Sequence, residues 1–269
     1  MKDFFRTPDN YLRRFSDVRL PAGRTADAPI AISDVATFSK GVVQPGDTTG
    51  PRVDNYATQF LFILNGRLDV QVGGNLMHAG PDDLVIIPRT LAYEIVNPGP
   101  DPDLHLAIAT PSGAVQAAEQ GSLASDTPTE TLLYHVDRDA FGPGLNRPDD
   151  LSVQRLANRA TNGIDIAIRS DLMRPGAHGP GMHVHKFDQY FFVLDGEITV
   201  AVVDQIFVAR RHELVRLPAG VPHRQWNASD ANEYCVTVAA PEPPAGEVWD
   251  VEVEFRGDFD WRRAPRQAE

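Results

Sequence analysis

The strongest constraint on the fold of this chain is an internal repeat. When the 269-residue sequence is shifted against itself by 130 residues, positions 45–111 fall on positions 175–241 without a gap. The two copies share turn and polar residues at matching positions, among them Pro45 with Pro175, Gln59 with Gln189, Gly66 with Gly196 and Asn97 with Asn227. A fixed offset of this kind predicts two copies of one fold.

Each copy has the pattern of short β-strands. Residues 60–64 and 190–194 are runs of aromatic and branched side chains, and each run is closed by a glycine turn. Residues 69–72 and 199–202 follow and alternate polar with apolar side chains, as half-buried strands do. Short strands and turns recur about every ten residues and are punctuated by 21 glycines and 22 prolines, which indicates a sandwich or barrel rather than βαβ units.

The composition excludes several classes of protein. The formal net charge of −12 argues against nucleic acid or an anionic membrane as the main partner, because phosphates attract a basic face. The single cysteine, Cys235, excludes an internal disulfide and is typical of a reducing compartment. The first residues lack the apolar core of a signal peptide, and no apolar stretch reaches 18 residues. We therefore expect a soluble cytoplasmic protein.

Three histidines of the second copy have the spacing of a metal site. His183 and His185 are two residues apart, so on a strand both rings point to one face. Gln189 has the same parity, and His223 begins another strand after the turn at 218–222. If the sheet closes into a small barrel, the three imidazoles meet in an enclosed cavity. Three imidazoles and one oxygen suit Fe, Mn, Ni, Cu or Zn and leave one or two positions for substrate and oxidant.

The second copy resembles the cupin family. Its residues follow the two cupin motifs, Gly176-x6-His183-x-His185-x3-Gln189-x6-Gly196 and Pro218-x-Gly220-x2-His223-x3-Asn227. Three features depart from the usual motifs: the first gap is one residue longer, Gln189 replaces the usual Glu, and His212 stands where the second motif usually opens with Gly. The resemblance implies an all-β fold of two double-stranded β-helix (jelly-roll) barrels in tandem.

The resemblance also implies a cofactor. We expect one divalent transition metal per chain, with Fe(II) preferred and Mn, Ni, Cu or Zn as alternatives. Its ligands are then His183, His185, His223 and Gln189, although Gln189 has a hydrogen-bonding role outside the ligand set as its other interpretation. The change from Glu to Gln leaves one more positive charge at the site and removes a carboxylate base.

The first copy lacks these ligands. Its matching positions hold Val53, Asn55, Gln59 and Tyr93. A valine, an amide and a phenol do not replace three imidazoles around such a metal. We therefore predict a metal-free first barrel that serves structure, oligomerisation or substrate enclosure.

Two further residues are candidates for catalysis. His178 lies in a loop shortly before His183, and an exposed loop histidine is its alternative interpretation. Gln225 has the parity of His223 and is a candidate lining residue of the pocket. His78, His105 and His135 form no group with one another, and Cys235 lies in an apolar run that is typical of a small buried side chain.

The resemblance implies a metal enzyme with a small-molecule substrate. The first hypothesis is a non-haem Fe(II) dioxygenase, similar to quercetin or gentisate dioxygenases, in which an aromatic or enol-type substrate chelates the metal and O2 is the co-substrate. The second is a redox-neutral isomerase, cyclase or lyase, and the third is a non-enzymatic binding bicupin. The first two use the same motif residues, so the sequence leaves them open.

The repeat also predicts the domain boundaries. We expect an N-terminal barrel at 1–111, a linker at 112–150, a metal-binding barrel at 151–255 and a C-terminal tail at 256–269. The linker is rich in Ala, Ser, Thr, Asp, Gly and Pro. Because cupin barrels often pair by strand exchange, we expect a homodimer.

Overall fold

The structure is a computed structural model that describes residues 10–111, 132–139, 141 and 151–254. Within these residues the chain forms strands joined by turns, a 3-10 turn at Phe15–Asp17 and one short helix, α1 (Arg159–Asn162). Most of the predicted linker and all of the predicted tail at 256–269 lie outside the described residues. None of the helices in the described part of the chain is long and apolar enough to cross a membrane.

The strands of the first copy form a six-stranded and a four-stranded antiparallel sheet. Their bounds are β2 (Ala26–Ile32), β3 (Thr37–Val42), β4 (Arg52–Val53), β5 (Ala57–Asn65), β6 (Leu68–Val72), β7 (Asn75–Ala79), β8 (Asp83–Ile87), β9 (Ala92–Val96), β10 (Leu104–Pro111) and β11 (Leu133–His135). The six-stranded sheet has the order β11-β8-β5-β10-β3-β2, and the four-stranded sheet has the order β4-β9-β6-β7.

The strands of the second copy form a six-stranded and a five-stranded sheet. Their bounds are β1 (Leu12–Arg14), β12 (Leu151–Ala157), β13 (Ala167–Met173), β14 (His183–Val184), β15 (Asp188–Asp195), β16 (Glu197–Val202), β17 (Gln205–Arg210), β18 (Glu213–Leu217), β19 (His223–Trp226), β20 (Glu233–Ala240) and β21 (Val251–Glu252). The orders are β1-β18-β15-β20-β13-β12 and β17-β16-β19-β14-β21.

The sequence offset of 130 residues is kept in the pairing of the strands. Gln59 pairs with Ile87 in the first copy as Gln189 pairs with Leu217 in the second. The loop before the last strand is also the same, because the side-chain amide of Asn97 donates to the carbonyls of Val43 and Asp101, and Asn227 donates to those of Met173 and Ala231. The prediction of two all-β barrels in tandem is confirmed.

The interior of the second barrel is apolar over most of its length. Alternate residues of its strands point inward and form one buried cluster, which includes Phe191, Val193, Val200, Val202, Val215, Leu217 and Cys235. Cys235 is buried and unpaired with another cysteine, as the sequence predicts, and burial raises the pKa of its thiol well above the usual value. The apolar cluster fixes the strands that carry the polar site described below.

The described residues divide into two compact units. One contains residues 14–111, 132–139 and 156–167, and the other contains residues 10–13, 141, 151–155 and 168–254. Residues 10–13 belong to the second unit because β1 joins its sheet beside β18, where Arg216 N donates to Tyr11 O over 2.7 Å. The boundaries at 111, 150 and 255 stay a proposal.

Candidate metal centre

Strand pairing brings the three histidines of the second barrel together. His183 lies directly opposite His223 in the antiparallel pair of β14 and β19, so both side chains lie on one face. His185 follows two residues later with the same parity. The ring centroids are 4.5 Å apart for His183 and His223, 4.6 Å for His185 and His223, and 4.7 Å for His183 and His185. All three rings are buried, as a binding site inside a barrel requires.

Backbone carbonyls decide which nitrogen of two rings faces the centre. His183 Nδ1 lies 2.7 Å from Gly181 O, and His223 Nδ1 lies 2.8 Å from Val221 O. A carbonyl only accepts, so each Nδ1 carries the proton and each Nε2 keeps its lone pair. Such outer hydrogen bonds orient histidines that ligate metals.

Burial keeps these imidazoles neutral. Desolvation, with a smaller effect of the neighbouring His183, lowers the pKa of His223 to about 3. Desolvation also lowers the pKa of His183, against the opposing effect of its hydrogen bond to Gly181. The neutral ring is the form that binds a metal, so protons do not compete for these two rings at neutral pH.

Gln189 turns its side-chain oxygen toward the histidines. It is buried on β15, and its Oε1 lies 3.2 Å from His223 Nε2. Both atoms carry lone pairs in this arrangement, and a cation between them satisfies both. Two ligands that share one ion at about 2.1 Å lie about 3.0 to 3.4 Å apart when they are adjacent. The four residues therefore fit a transition metal with nitrogen and oxygen ligands.

The two candidate catalytic residues, His178 and Gln225, lie in different surroundings. His178 is exposed in the loop before β14, and its backbone oxygen accepts from Arg224 Nη2 over 2.9 Å. Gln225 is buried on β19 opposite Val200, with the parity of His223, and its Oε1 has no hydrogen-bond partner. Gln225 therefore lies on the face that carries the histidines. Catalytic roles for both residues stay predictions.

Sequence reasoning missed one acidic residue at the centre. Asp250 Oδ1 lies 3.2 Å from His185 Nε2 and 4.0 Å from His183 Nε2. The hydrogen bond from His185 is the main reason why the pKa of Asp250 is lowered, and burial opposes it. Asp250 follows both cupin motifs by more than twenty residues, so no motif spacing points to it. The alternation of residues 249–253 as a short strand is the one local signal that could have done so.

Aromatic rings close one side of the histidine cluster. Phe187 stacks on His185 with centroids 4.4 Å apart, and Trp249 packs edge-on against Phe187 at 5.3 Å. Phe187 is buried and precedes β15, whereas Trp249 belongs to the segment that carries Asp250. These rings shield one flank of the site from water.

The matching positions of the first barrel are occupied differently. Val53 is 51% exposed, and Asn55 is exposed as well. Gln59 Nε2 donates to Asp54 Oδ2 over 3.0 Å and to Tyr93 Oη over 3.2 Å. Burial opposes ionisation of Asp54, but hydrogen bonds from two backbone amides and from Gln59 hold its pKa below the usual value. The side chains of Gln59 and Tyr93 are thus hydrogen-bonded to each other. The metal-free first barrel stays a prediction.

The remaining histidines with predicted structural roles each bind a separate aspartate. Nδ1 of His78 lies 2.7 Å from Asp69, that of His105 lies 2.6 Å from Asp103, and that of His135 lies 2.7 Å from Asp83. Over the described ranges, His183, His185 and His223 are the one group of His, Cys, Asp and Glu residues placed to hold a metal ion.

Comparison with known proteins agrees with this architecture. The family described as Cupin domain matches residues 40–109 and 171–238, about half of the chain and part of each copy. No curated protein sequence gives a significant match.

Solved structures with the same fold cover most of the chain. A cupin 2 conserved barrel domain protein from Leptotrichia buccalis is 14% identical with a TM-score of 0.58, and the alignment covers 85% of this chain and 95% of that chain. Salicylate 1,2-dioxygenase from Pseudoaminobacter salicylatoxidans is 12% identical with a TM-score of 0.66 and coverage of 86% and 80%. Oxalate decarboxylase from Bacillus subtilis is 14% identical with a TM-score of 0.62 and coverage of 91% and 79%. At these identities the likeness shows the fold.

Proposed function

The chain belongs to the cupin domain family, and on that premise we propose that it is a metal-dependent bicupin enzyme. The activity we propose is that of a non-haem Fe(II) dioxygenase that acts on a small aromatic or enol-type substrate with O2. One metal per chain is held in the second barrel by His183, His185, His223 and Gln189, and the first barrel is metal-free. We also propose a homodimer and a cytoplasmic location.

One observation carries this proposal. Three buried imidazoles converge within 4.8 Å, and backbone carbonyls turn the Nε2 lone pairs of two of them toward the third. Three histidines satisfied only by the protein need a donor for each lone pair, and His223 Nε2 instead faces the oxygen of Gln189. A cation placed between the two atoms satisfies both of their lone pairs.

None of the four proposed ligands is a carboxylate, and this affects which substrates a bound metal would favour. A bound Fe(II) ion supplies Lewis acidity and one-electron redox chemistry, and its full positive charge favours an anionic enolate or phenolate. The backbone carbonyls hold the imidazoles in place, so binding needs little reorganisation. Gln225 offers an unpaired side-chain oxygen on the same face and orients a substrate hydroxyl. Phe187 and Trp249 exclude water on one flank.

The proposal is tested by measuring the metal content of the protein and then its oxygen uptake. The full chain is purified without chelators, its metals are measured by elemental analysis, and the chain is then loaded anaerobically with Fe(II). Oxygen uptake is screened against catechols, flavonols and β-dicarbonyls. We expect one ion per chain and Fe(II)-dependent O2 consumption with at least one substrate class.

Two results would replace the proposal. Turnover under strict anaerobiosis with Mn or Zn assigns the chain to the redox-neutral isomerases, cyclases or lyases. A chain that binds a small molecule but takes up no metal is a binding bicupin instead.

A further inference from the structure

We propose that Asp250 is an additional ligand of the metal ion in the substrate-free protein and supplies the negative charge that Gln189 lacks. This inference rests on the proposed metal site and adds a residue from outside both cupin motifs. A segment beyond the repeat, residues 249–253, thereby completes the centre.

The pairing of β21 with β14 fixes the position of Asp250. Glu252 pairs with His183 and Val251 pairs with Val184 in antiparallel register, so the same register places position 250 opposite His185. Directly opposed residues of an antiparallel pair present their side chains on the same face. Asp250 directly precedes this ladder, and continuing its register places Asp250 beside His185, in agreement with the hydrogen bond between the two side chains.

Contacts on both sides anchor this segment. After Asp250, Val253 N donates to Met182 O over 2.9 Å. Before it, the ring of Trp249 packs against Phe187, which itself stacks on His185. The carboxylate is thus held between two fixed points rather than at the end of a free loop.

The distances from Asp250 match those between ligands of one ion. Two atoms bound at about 2.1 Å to the same ion are about 3.0 Å apart at right angles and at most about 4.2 Å apart across it. Asp250 Oδ1 lies 3.2 Å from His185 Nε2 and 4.0 Å from His183 Nε2. Both separations fall inside this range, as does the 3.2 Å between Gln189 Oε1 and His223 Nε2. Among the residues that the structure describes, the group of ligand atoms that all lie within 4.8 Å of one another contains only the three histidines, so the Asp250 side chain has to turn further toward His223 when the ion binds.

Charge and exposure favour the same assignment. Gln189 contributes no charge where cupins usually have a glutamate, so the four motif residues alone leave the charge of the ion uncompensated. The side chain of Asp250 is 55% exposed, and a partly hydrated carboxylate keeps its charge at a modest desolvation cost. Carboxylate oxygen is also a ligand that divalent first-row metals accept.

Co(II) binding to the full chain tests the assignment without any substrate. Apo-protein is titrated with Co(II) in competition with a chelator, for the wild type, Asp250→Asn, Glu252→Gln and the double variant Asp250→Asn/Gln189→Glu. Glu252 is the matched control, because it is an exposed acid on the same strand, two residues away and with the same parity. Thermal melts of the apo-proteins verify that each variant folds.

We expect Asp250→Asn to weaken Co(II) binding by more than about 100-fold, because a lost ligand should cost more than a lost outer hydrogen-bonding partner, which contributes about 10- to 100-fold. Glu252→Gln should leave the affinity within about twofold of the wild type, which is the scale of a screened, exposed charge. Returning the carboxylate to position 189 in the double variant should recover most of the loss. A crystal structure of the Co(II) protein should place Asp250 Oδ1 about 2.0 to 2.2 Å from the ion.

Failure of the proposed metal site and failure of the Asp250 assignment give different results. A wild type that takes up no Co(II) overturns the proposed metal site itself. A wild type that binds one ion, with Asp250→Asn binding equally well, overturns the role of Asp250 and leaves the site intact. A crystal structure with Asp250 bonded only to a metal-bound water makes it a positioning residue and overturns the assignment as a ligand.

Discussion

The two barrels bury acidic side chains at the same position of the repeat in different ways. In the first barrel, Asp103 directly precedes β10, His105 lies on β10, and Gly41 lies on the neighbouring strand β3. The second barrel has Glu233, Cys235 and Asp171 at the three matching positions. Four of these six residues are buried and carry a carboxyl group or an imidazole, namely Asp103, His105, Asp171 and Glu233.

The first barrel pairs its acid with a base. Asp103 accepts a hydrogen bond from Val43 N and lies 2.6 Å from His105 Nδ1. The His105 ring covers Gly41 so closely that a Cβ at position 41 would stand 2.0 Å from its Nε2. Only glycine, which has no Cβ, allows the His105 ring to lie this close to position 41.

The second barrel buries Glu233 by favouring the neutral form of its carboxyl group. Burial, with a smaller effect of the charge of Asp171, raises the pKa of Glu233 to about 8. Burial also raises the pKa of Asp171, although Arg169 and the Thr237 hydroxyl, which donates over 2.8 Å, favour its ionised form. The comparison shows that one framework accepts a buried acid either with a basic partner or with a proton of its own.

The difference between the barrels is greatest at the metal positions. His223→Ala removes one of three imidazoles, so the metal content should fall from one ion per chain to none. In the first barrel, Tyr93→Phe removes only the hydroxyl at the matching position and should leave the metal content unchanged. Elemental analysis of both variants tests this contrast. Metal retained by His223→Ala, or lost from Tyr93→Phe, would place the ion elsewhere.

The next effect is a stabilisation that depends on pH. Glu233 keeps its proton up to about pH 8 in the folded chain, whereas the unfolded chain loses it near 4.5. The unfolded state binds fewer protons between these values, so the wild type loses stability as the pH rises through this window. Glu233→Gln should be more stable than the wild type by about 3 kcal/mol at pH 7, and the two should be equal below about pH 4.5.

Calorimetric melts of both proteins across this window provide the measurement. The gap between the two melting curves should open steadily as the pH rises. A gap that is the same at every pH would show that Glu233 is not protonated in the folded state.

The smallest effect has the opposite sign in the first barrel. Asp103→Asn leaves one side-chain oxygen where two served Val43 N and His105, so the variant should be less stable by about 2 kcal/mol. Asp69→Asn is the control, because Asp69 binds His78, whose side chain is 60% exposed. Urea unfolding should show a loss for Asp103→Asn and almost none for Asp69→Asn. Equal losses would contradict the contrast between the barrels.

Much of the candidate site follows from local pattern. The repeat, the strand runs and the parity of His183, His185 and Gln189 are properties of neighbouring residues, and side chains that alternate with period two must share a face. His223 is linked to them by the repeat and the turn before it. The cupin fold was predictable for the same reason, since short strands and turns leave few ways to bury their apolar faces.

Other features have no local signal. Position 250 faces His185 only because β21 pairs with β14, and β1 joins the sheet of the second barrel from the far end of the sequence. The cover of His105 over Gly41 likewise needs β10 and β3 side by side.

Local spacing is enough to predict the repeat, the barrel class and the four candidate ligands, because periodicity fixes which residues share a face. Which strands are neighbours, and therefore which charges meet, depends on how the whole chain folds. Pairing between distant strands depends on backbone hydrogen bonds and packing across the whole barrel, and no spacing within a motif records it.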